Sequence, residues 1–95
     1  MTITTPINAV GVPIGGGLGN KKVMLVEING QYEQDGFVIP GVTQEPALML
    51  FSGGVNGVFA SGKVKLMTPT ISTDKVVSAE VPDETSVAIK GFIVF

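Results

Sequence analysis

Apolar residues along the chain fall into short stretches that glycine, proline, asparagine and aspartate separate. No apolar repeat of 3.6 residues persists for three helical turns. The stretches that indicate strands are KVMLVEI (22–28), FVI (37–39), VFASGKVKLM (58–67), KVVSAEV (75–81) and SVAIKGFIVF (86–95). About six to eight short strands, with turn signals roughly every 8–12 residues, are typical of all-β domains. The pattern therefore predicts an all-β fold, a small antiparallel β-sandwich or jelly roll.

The order of side chains inside these stretches predicts which of them face inward. Residues 22–28 are almost continuously apolar and branched, which predicts a strand buried on both faces. Residues 63–66 alternate lysine with aliphatic side chains, which predicts lysines outside and aliphatics inside. Gly91 in the last stretch marks a bulge or a close approach of another backbone. One face of that stretch carries four apolar side chains: Val87, Ile89, Ile93 and Phe95.

Turn signals separate the stretches. Asn29-Gly30 is the strongest short hairpin signal in the chain, and Asp35-Gly36 is a second turn signal. Pro69 is expected to end the strand that precedes it, because proline has no backbone donor.

Residues 43–51, TQEPALMLF, fit two structures. Thr43 suits the cap of a short helix that has Pro46 in its first turn. The run ALMLF fits a buried strand equally well, and we favour the strand. The five phenylalanines of the chain are interpreted as core residues.

The first twenty residues, MTITTPINAVGVPIGGGLGN, carry no charged side chain. Pro6 and Pro13 favour extended backbone, and the run GGGLGN favours a hinge. The segment lacks the Gly-Lys-Ser/Thr of a phosphate loop and the third glycine of a dinucleotide loop. It also lacks the basic region and continuous apolar run of a signal peptide. We interpret residues 1–20 as an extended arm with a Gly-rich hinge, and residues 21–95 as the β-sandwich domain.

The arm nevertheless carries regularly spaced apolar side chains: Ile3, Ile7, Val10, Val12 and Ile14. The last three alternate, as residues of an edge strand do. Ordering twenty residues costs roughly 20–40 kcal/mol. Offsetting that cost takes on the order of 1,000 Å² of buried apolar surface at about 25 cal/mol per Å². We therefore expect these five residues to bind a neighbouring subunit in trans. The alternative is that the arm folds back as an edge strand of its own domain.

Composition excludes several classes of function. The chain has no Cys or His, so the common nucleophile–base triads and the usual zinc ligands are missing. Six lysines, no arginine and a net charge of −2 argue against nucleic acid as a partner. No apolar run approaches the ~20 residues of a membrane span. The close acid pairs Glu33/Asp35 and Asp83/Glu84 fall in predicted turns, where solvated acids are ordinary. We expect neither an enzyme nor a cofactor-binding, metal-binding or membrane protein.

Across its whole length the chain resembles the head-decoration (cement) proteins of tailed bacteriophages. The uncharged arm MTITTPINAVGVPIGGGLGN and the short-strand body ending AIKGFIVF carry the resemblance. It implies a non-enzymatic virion protein, made in the host cytoplasm and placed on the capsid surface. It further implies a homotrimer that binds the major capsid protein and neighbouring subunits, and so stabilises the shell.

Two other classes stay open. One is a different virion or appendage subunit, such as a tail, fibre or strand-donating component, which would add a strand to a neighbour's sheet. The other is a monomeric β-sandwich module that binds a glycan through loops 40–46 and 52–57. An assembly subunit needs the arm, whereas a monomeric module would work without it.

Overall fold

The computed structural model describes residues 3–95, apart from the side chains of residues 15–18. Met1 and Thr2, the first two residues of the expected arm, lie outside the described residues. The described chain contains seven strands and no helix, which confirms the all-β prediction. The strands are β1 (Asn8–Leu18), β2 (Lys21–Gln31), β3 (Leu48–Phe51), β4 (Asn56–Ala60), β5 (Lys63–Ser72), β6 (Lys75–Glu80) and β7 (Ser86–Val94).

The strands form two antiparallel sheets. Sheet A has the order β1-β2-β7-β3, and sheet B has the order β4-β5-β6. The last strand, β7, therefore lies inside sheet A between β2 and β3. Within the ambiguous segment 43–51, residues 48–51 form a strand and no helix is present, which confirms the strand interpretation for that part. The expectation that this strand is buried is wrong, because Leu48 and Leu50 are exposed.

Both sheets contribute side chains to one core. The largest fully buried side chains are Tyr32, Ile28, Ile39, Leu66, Ile93, Val26 and Val64. The alternation predicted in β5 is confirmed, because Val64 and Leu66 are buried while Lys63 is exposed. On β7, Ile89 and Ile93 are buried in the core and Val87 packs against it, as does Phe95 just after the strand.

The prediction that residues 22–28 are buried on both faces is wrong. β2 buries Met24, Val26 and Ile28, whereas Leu25 on the other face is 41% exposed. The strand is central in its sheet but has a core on one side only. A run of apolar residues is therefore compatible with one buried face when the second face is apolar as well.

Asn29-Gly30 does not form the predicted hairpin. β2 continues through it, with Gly30 opposite Val87 of β7. Gly30 has φ 130° and lies against the backbone of Pro6 and Ile7. A side chain at this position would collide with that backbone, so glycine lets the two segments pass close together.

Two further local predictions are wrong. Residues 37–39 contribute one isolated bridge, between Phe37 and Val64, instead of a strand. β5 runs past Pro69 to Ser72, because β6 pairs with this part of β5 while β4 pairs only as far as Met67. The proline therefore lies where one edge of β5 has no neighbour, the position in a sheet that tolerates proline.

β5 and β6 extend beyond the body as a two-stranded hairpin, residues 69–79, which we call the projecting hairpin. Every residue in it is exposed. Its turn residues, Thr73 and Asp74, have φ values of 48° and 64°. Two consecutive residues with positive φ define the type I′ turn that closes two-residue hairpins.

Candidate functional site

Residues 8–18 of the expected arm form β1, the edge strand of sheet A. β1 pairs with β2 of the same chain, from Asn8 opposite Asn29 to Ile14 opposite Val23. This is the edge-strand alternative that the sequence left open. The register shifts between Ile14 and Leu18, where the glycine run lies. The role of the arm residues in binding a partner stays a prediction.

Three of the five expected partner-binding residues lie together on the surface. Val10, Val12 and Ile14 share one face of β1 and are 50%, 56% and 41% exposed. Ile7 instead packs against the core. Ile3 is half-buried and precedes Thr4 and Thr5, whose backbone N–H groups donate to Gln31 Oε1 at 2.7 and 2.9 Å. The arm is thus fastened in cis before β1 begins.

The register extends this apolar surface across the whole of sheet A. Directly opposite residues of antiparallel strands lie on the same face, with Cβ atoms about 5 Å apart. One row across the sheet is Ile14, Val23, Val94 and Leu48. The adjacent row is Val12, Leu25, Phe92 and Leu50. All eight are apolar, and we call them the outer apolar face.

Most of this face is accessible to solvent. Six of its eight side chains are substantially exposed, with Val12 and Leu50 the most exposed and Phe92 at 47%. A shallow depression of about 460 Å³ lies between Leu25, Leu50 and Phe92. Val94 is the exception, with only 8% of its side chain exposed.

Charge appears at one border of the face. The next row places Val10 opposite Glu27, and Glu27 opposite Lys90. Both charged side chains are exposed. The site is therefore an apolar surface with an acid and a base along one side.

Sequence reasoning found the β1 part of this face and missed the rest. The prediction that residues 22–28 are buried on both faces places Leu25 inside, and the interpretation of the phenylalanines as core residues does the same for Phe92. In the structure Phe92 is exposed, while the remaining four are half-buried against the core. The signal was present as consecutive apolar residues on both faces of β2 and β7, but it does not say which face is covered.

The single tyrosine makes a polar connection between the sheets. Tyr32 is fully buried, and its hydroxyl donates to Glu80 Oε2 at 2.5 Å. The backbone N–H of Leu66 donates to the same hydroxyl oxygen at 3.2 Å. Burial, and secondly the bond to Glu80, raise the pKa of Tyr32 well above its ordinary value of 10.0. A neutral phenol that links two strands is a structural group rather than an acid–base catalyst at neutral pH.

The acidic turns also serve the fold. The N–H of Gln34 donates to Asp83 Oδ1 at 2.6 Å, and the N–H of Asp35 donates to Glu80 Oε2 at 3.1 Å. Within residues 3–95, no group of three or more acidic, His or Cys side chains is placed to hold a metal ion. Among the described residues there is likewise no helix long and apolar enough to cross a lipid bilayer.

Comparison with protein-family models, with curated proteins and with solved structures finds no match.

Proposed function

We propose that the protein is a non-enzymatic structural subunit of a virion, which decorates and stabilises a bacteriophage capsid. In this function it binds the major capsid protein and neighbouring copies of itself. It is made in the host cytoplasm and ends on the capsid surface. The observation that supports the proposal best is the outer apolar face, because soluble monomers rarely expose contiguous apolar surface of this extent without a partner.

Burial of the outer apolar face would contribute substantially to the free energy of association. Fully burying one Val, Leu, Ile or Phe side chain contributes about 1.5–3 kcal/mol, so covering the exposed half of six contributes about 5–9 kcal/mol. The entropy cost of association is about 4–15 kcal/mol. Covering the face therefore offsets much of that cost, and a few polar contacts at its border complete a specific interface.

The proposal also includes how sheets A and B are arranged around the core. Sheets A and B supply one shared core, which supports the proposal of a small β-sandwich or jelly roll. In a sandwich one face of each sheet points away from the core. The outer apolar face of sheet A is then the surface that this subunit presents to its neighbours.

The test is sedimentation of the purified protein with expanded capsids of the encoding phage from which the protein has been removed. Wild type should saturate at a fixed ratio to the major capsid protein. A face variant, Val12→Thr with Leu50→Thr, keeps strand-compatible side chains and should bind at least about 10-fold more weakly. A matched control, Val38→Thr, changes a side chain that is comparably exposed and is not one of the eight residues of the face.

The control should bind as wild type does. Absence of any saturable binding by wild type would refute capsid decoration. Equal binding by the face variant would refute the role of the outer apolar face and leave decoration standing.

A further inference from the structure

We propose that the projecting hairpin of one copy packs on the outer apolar face of the next copy, so that the subunits associate head to tail. The inference rests on the proposed function, because it names the partner that covers the face. The occupant is a second copy of this chain.

The projecting hairpin has an apolar surface that its own chain leaves open. Ile71 and Val76 lie directly opposite each other and are 82% and 73% exposed. Among the described strands, β6 contacts only β5. Hairpins of two strands are marginal by themselves, so a second surface against which these side chains pack would stabilise this one.

The contact has to be made between copies. Leu66 of β5 and Val81, just after β6, face the core that sheet B shares with sheet A. The outer apolar face lies on the opposite side of sheet A from that core. The hairpin and the face of one chain therefore point in different directions. Two different surfaces that meet between identical subunits make a heterologous interface, which builds a ring or an open chain.

The accessible surface is large for a chain of this mass. A compact monomer of 9.8 kDa has an accessible surface of roughly 5,200 Å². This chain has 5937 Å², an excess of about 750 Å². One partner in a standard stable interface buries about 800 Å². An excess of this size is comparable to the area that one partner buries in such an interface.

The surface of the hairpin that carries Ile71 and Val76 is apolar, as the outer apolar face is. The hairpin tip also carries Asp74 and Lys75, both exposed. Consecutive strand residues point to opposite faces, so Lys75 lies on the face of the hairpin away from Val76. The contact that the hairpin offers to a neighbour is therefore the apolar pair Ile71 and Val76.

The experiment uses two variants of the full chain, each lacking one of the two surfaces. The hairpin variant is Ile71→Thr with Val76→Thr, and the face variant is Val12→Thr with Leu50→Thr. Sedimentation velocity and native mass spectrometry measure association, and circular dichroism confirms that each variant is folded. Wild type should form oligomers, and each variant alone should associate at least about 30-fold more weakly. Val38→Thr is the control and should associate as wild type does.

Mixing the two variants gives the decisive result. Each retains the surface that the other has lost, so an equimolar mixture should form a 1:1 dimer that neither variant forms alone. An isologous interface, made of the same surface on both copies, would give no such complementation.

Three results would overturn the inference: a monomeric wild type, a hairpin variant that associates normally, or a mixture that stays monomeric. None of them bears on capsid binding, which is measured separately. Conversely, complementation without capsid binding would retain this interface and refute decoration.

Discussion

Replacing Tyr32 by phenylalanine tests whether the polar link between the sheets stabilises the fold. The substitution keeps the ring, which packs edge-on against Phe37 with centroids 6.4 Å apart. It removes the hydroxyl that donates to Glu80 and accepts from the Leu66 N–H. The N–H of Leu66 is then buried without that acceptor. We expect a loss of about 2–3 kcal/mol in the free energy of unfolding, because an unsatisfied buried group costs 1–3 kcal/mol and a bond to a charged group contributes as much.

Urea unfolding measures this loss. The midpoint should fall by about 1–2 M with an unchanged slope, and the thermal midpoint by roughly 8–20 °C. Glu80→Gln is the matched control, since its side-chain oxygen still accepts from Tyr32, and it should cost less. A Tyr32→Phe variant as stable as wild type would refute the inference that the link stabilises the fold.

The same residue predicts a dependence of stability on pH. The folded chain holds the phenol proton to higher pH than the unfolded chain, because the pKa of Tyr32 is raised. Its stabilising contribution is therefore complete below about pH 10 and is lost as the pH rises from there towards the folded pKa. The chain has one Tyr and no Trp, so tyrosinate absorbance reports Tyr32 alone. The folded protein should show none at pH values where the urea-unfolded protein titrates. Titration near pH 10 in the folded state would contradict the burial of this hydroxyl.

Two backbone predictions complete the set. Gly91→Ala should destabilise the fold by about 2 kcal/mol or more, since the new Cβ would collide with the Leu50 carbonyl oxygen and with Phe51 Cδ1. A urea midpoint equal to that of wild type would show that β3 and β7 are not so closely apposed. Thr73→Asn should stabilise by about 0.5–1 kcal/mol, because asparagine adopts positive φ more readily than a β-branched residue. A lower thermal midpoint in this variant would contradict the type I′ geometry of the hairpin turn.

The sequence alone predicts the class of this fold because its signals are local. Alternation in residues 63–66 puts lysines outside and aliphatics inside, as found in β5. The apolar face of residues 86–95 turns to the core, and Gly91 allows the close approach of β3. Val10, Val12 and Ile14 alternate in the sequence and share one face in the structure. Each of these depends on a period of two residues, which every strand obeys whatever its partners are.

Where the local sequence signals gave wrong predictions, the pairing of strands that are distant in the sequence decided the structure. Asn29-Gly30 carries the local signal of a hairpin, yet β7 and the Pro6 region pair with it and keep it extended. Pro69 stays inside β5 because one of its flanks has no neighbouring strand. The arm has its partner strand in β2, which supplies in cis part of the contact surface expected from another subunit.

The outer apolar face shows most clearly where sequence reasoning stops. Leu25 and Phe92 have the same side-chain chemistry as Val26 and Ile93, which are completely buried. Only the placement of sheet B on one side of sheet A separates them. The sequence by itself determined which residues are apolar and that they alternate along strands. The tertiary structure decided which side of sheet A is covered by its own chain and which stays exposed, because burial depends on what packs against a strand and not on the strand.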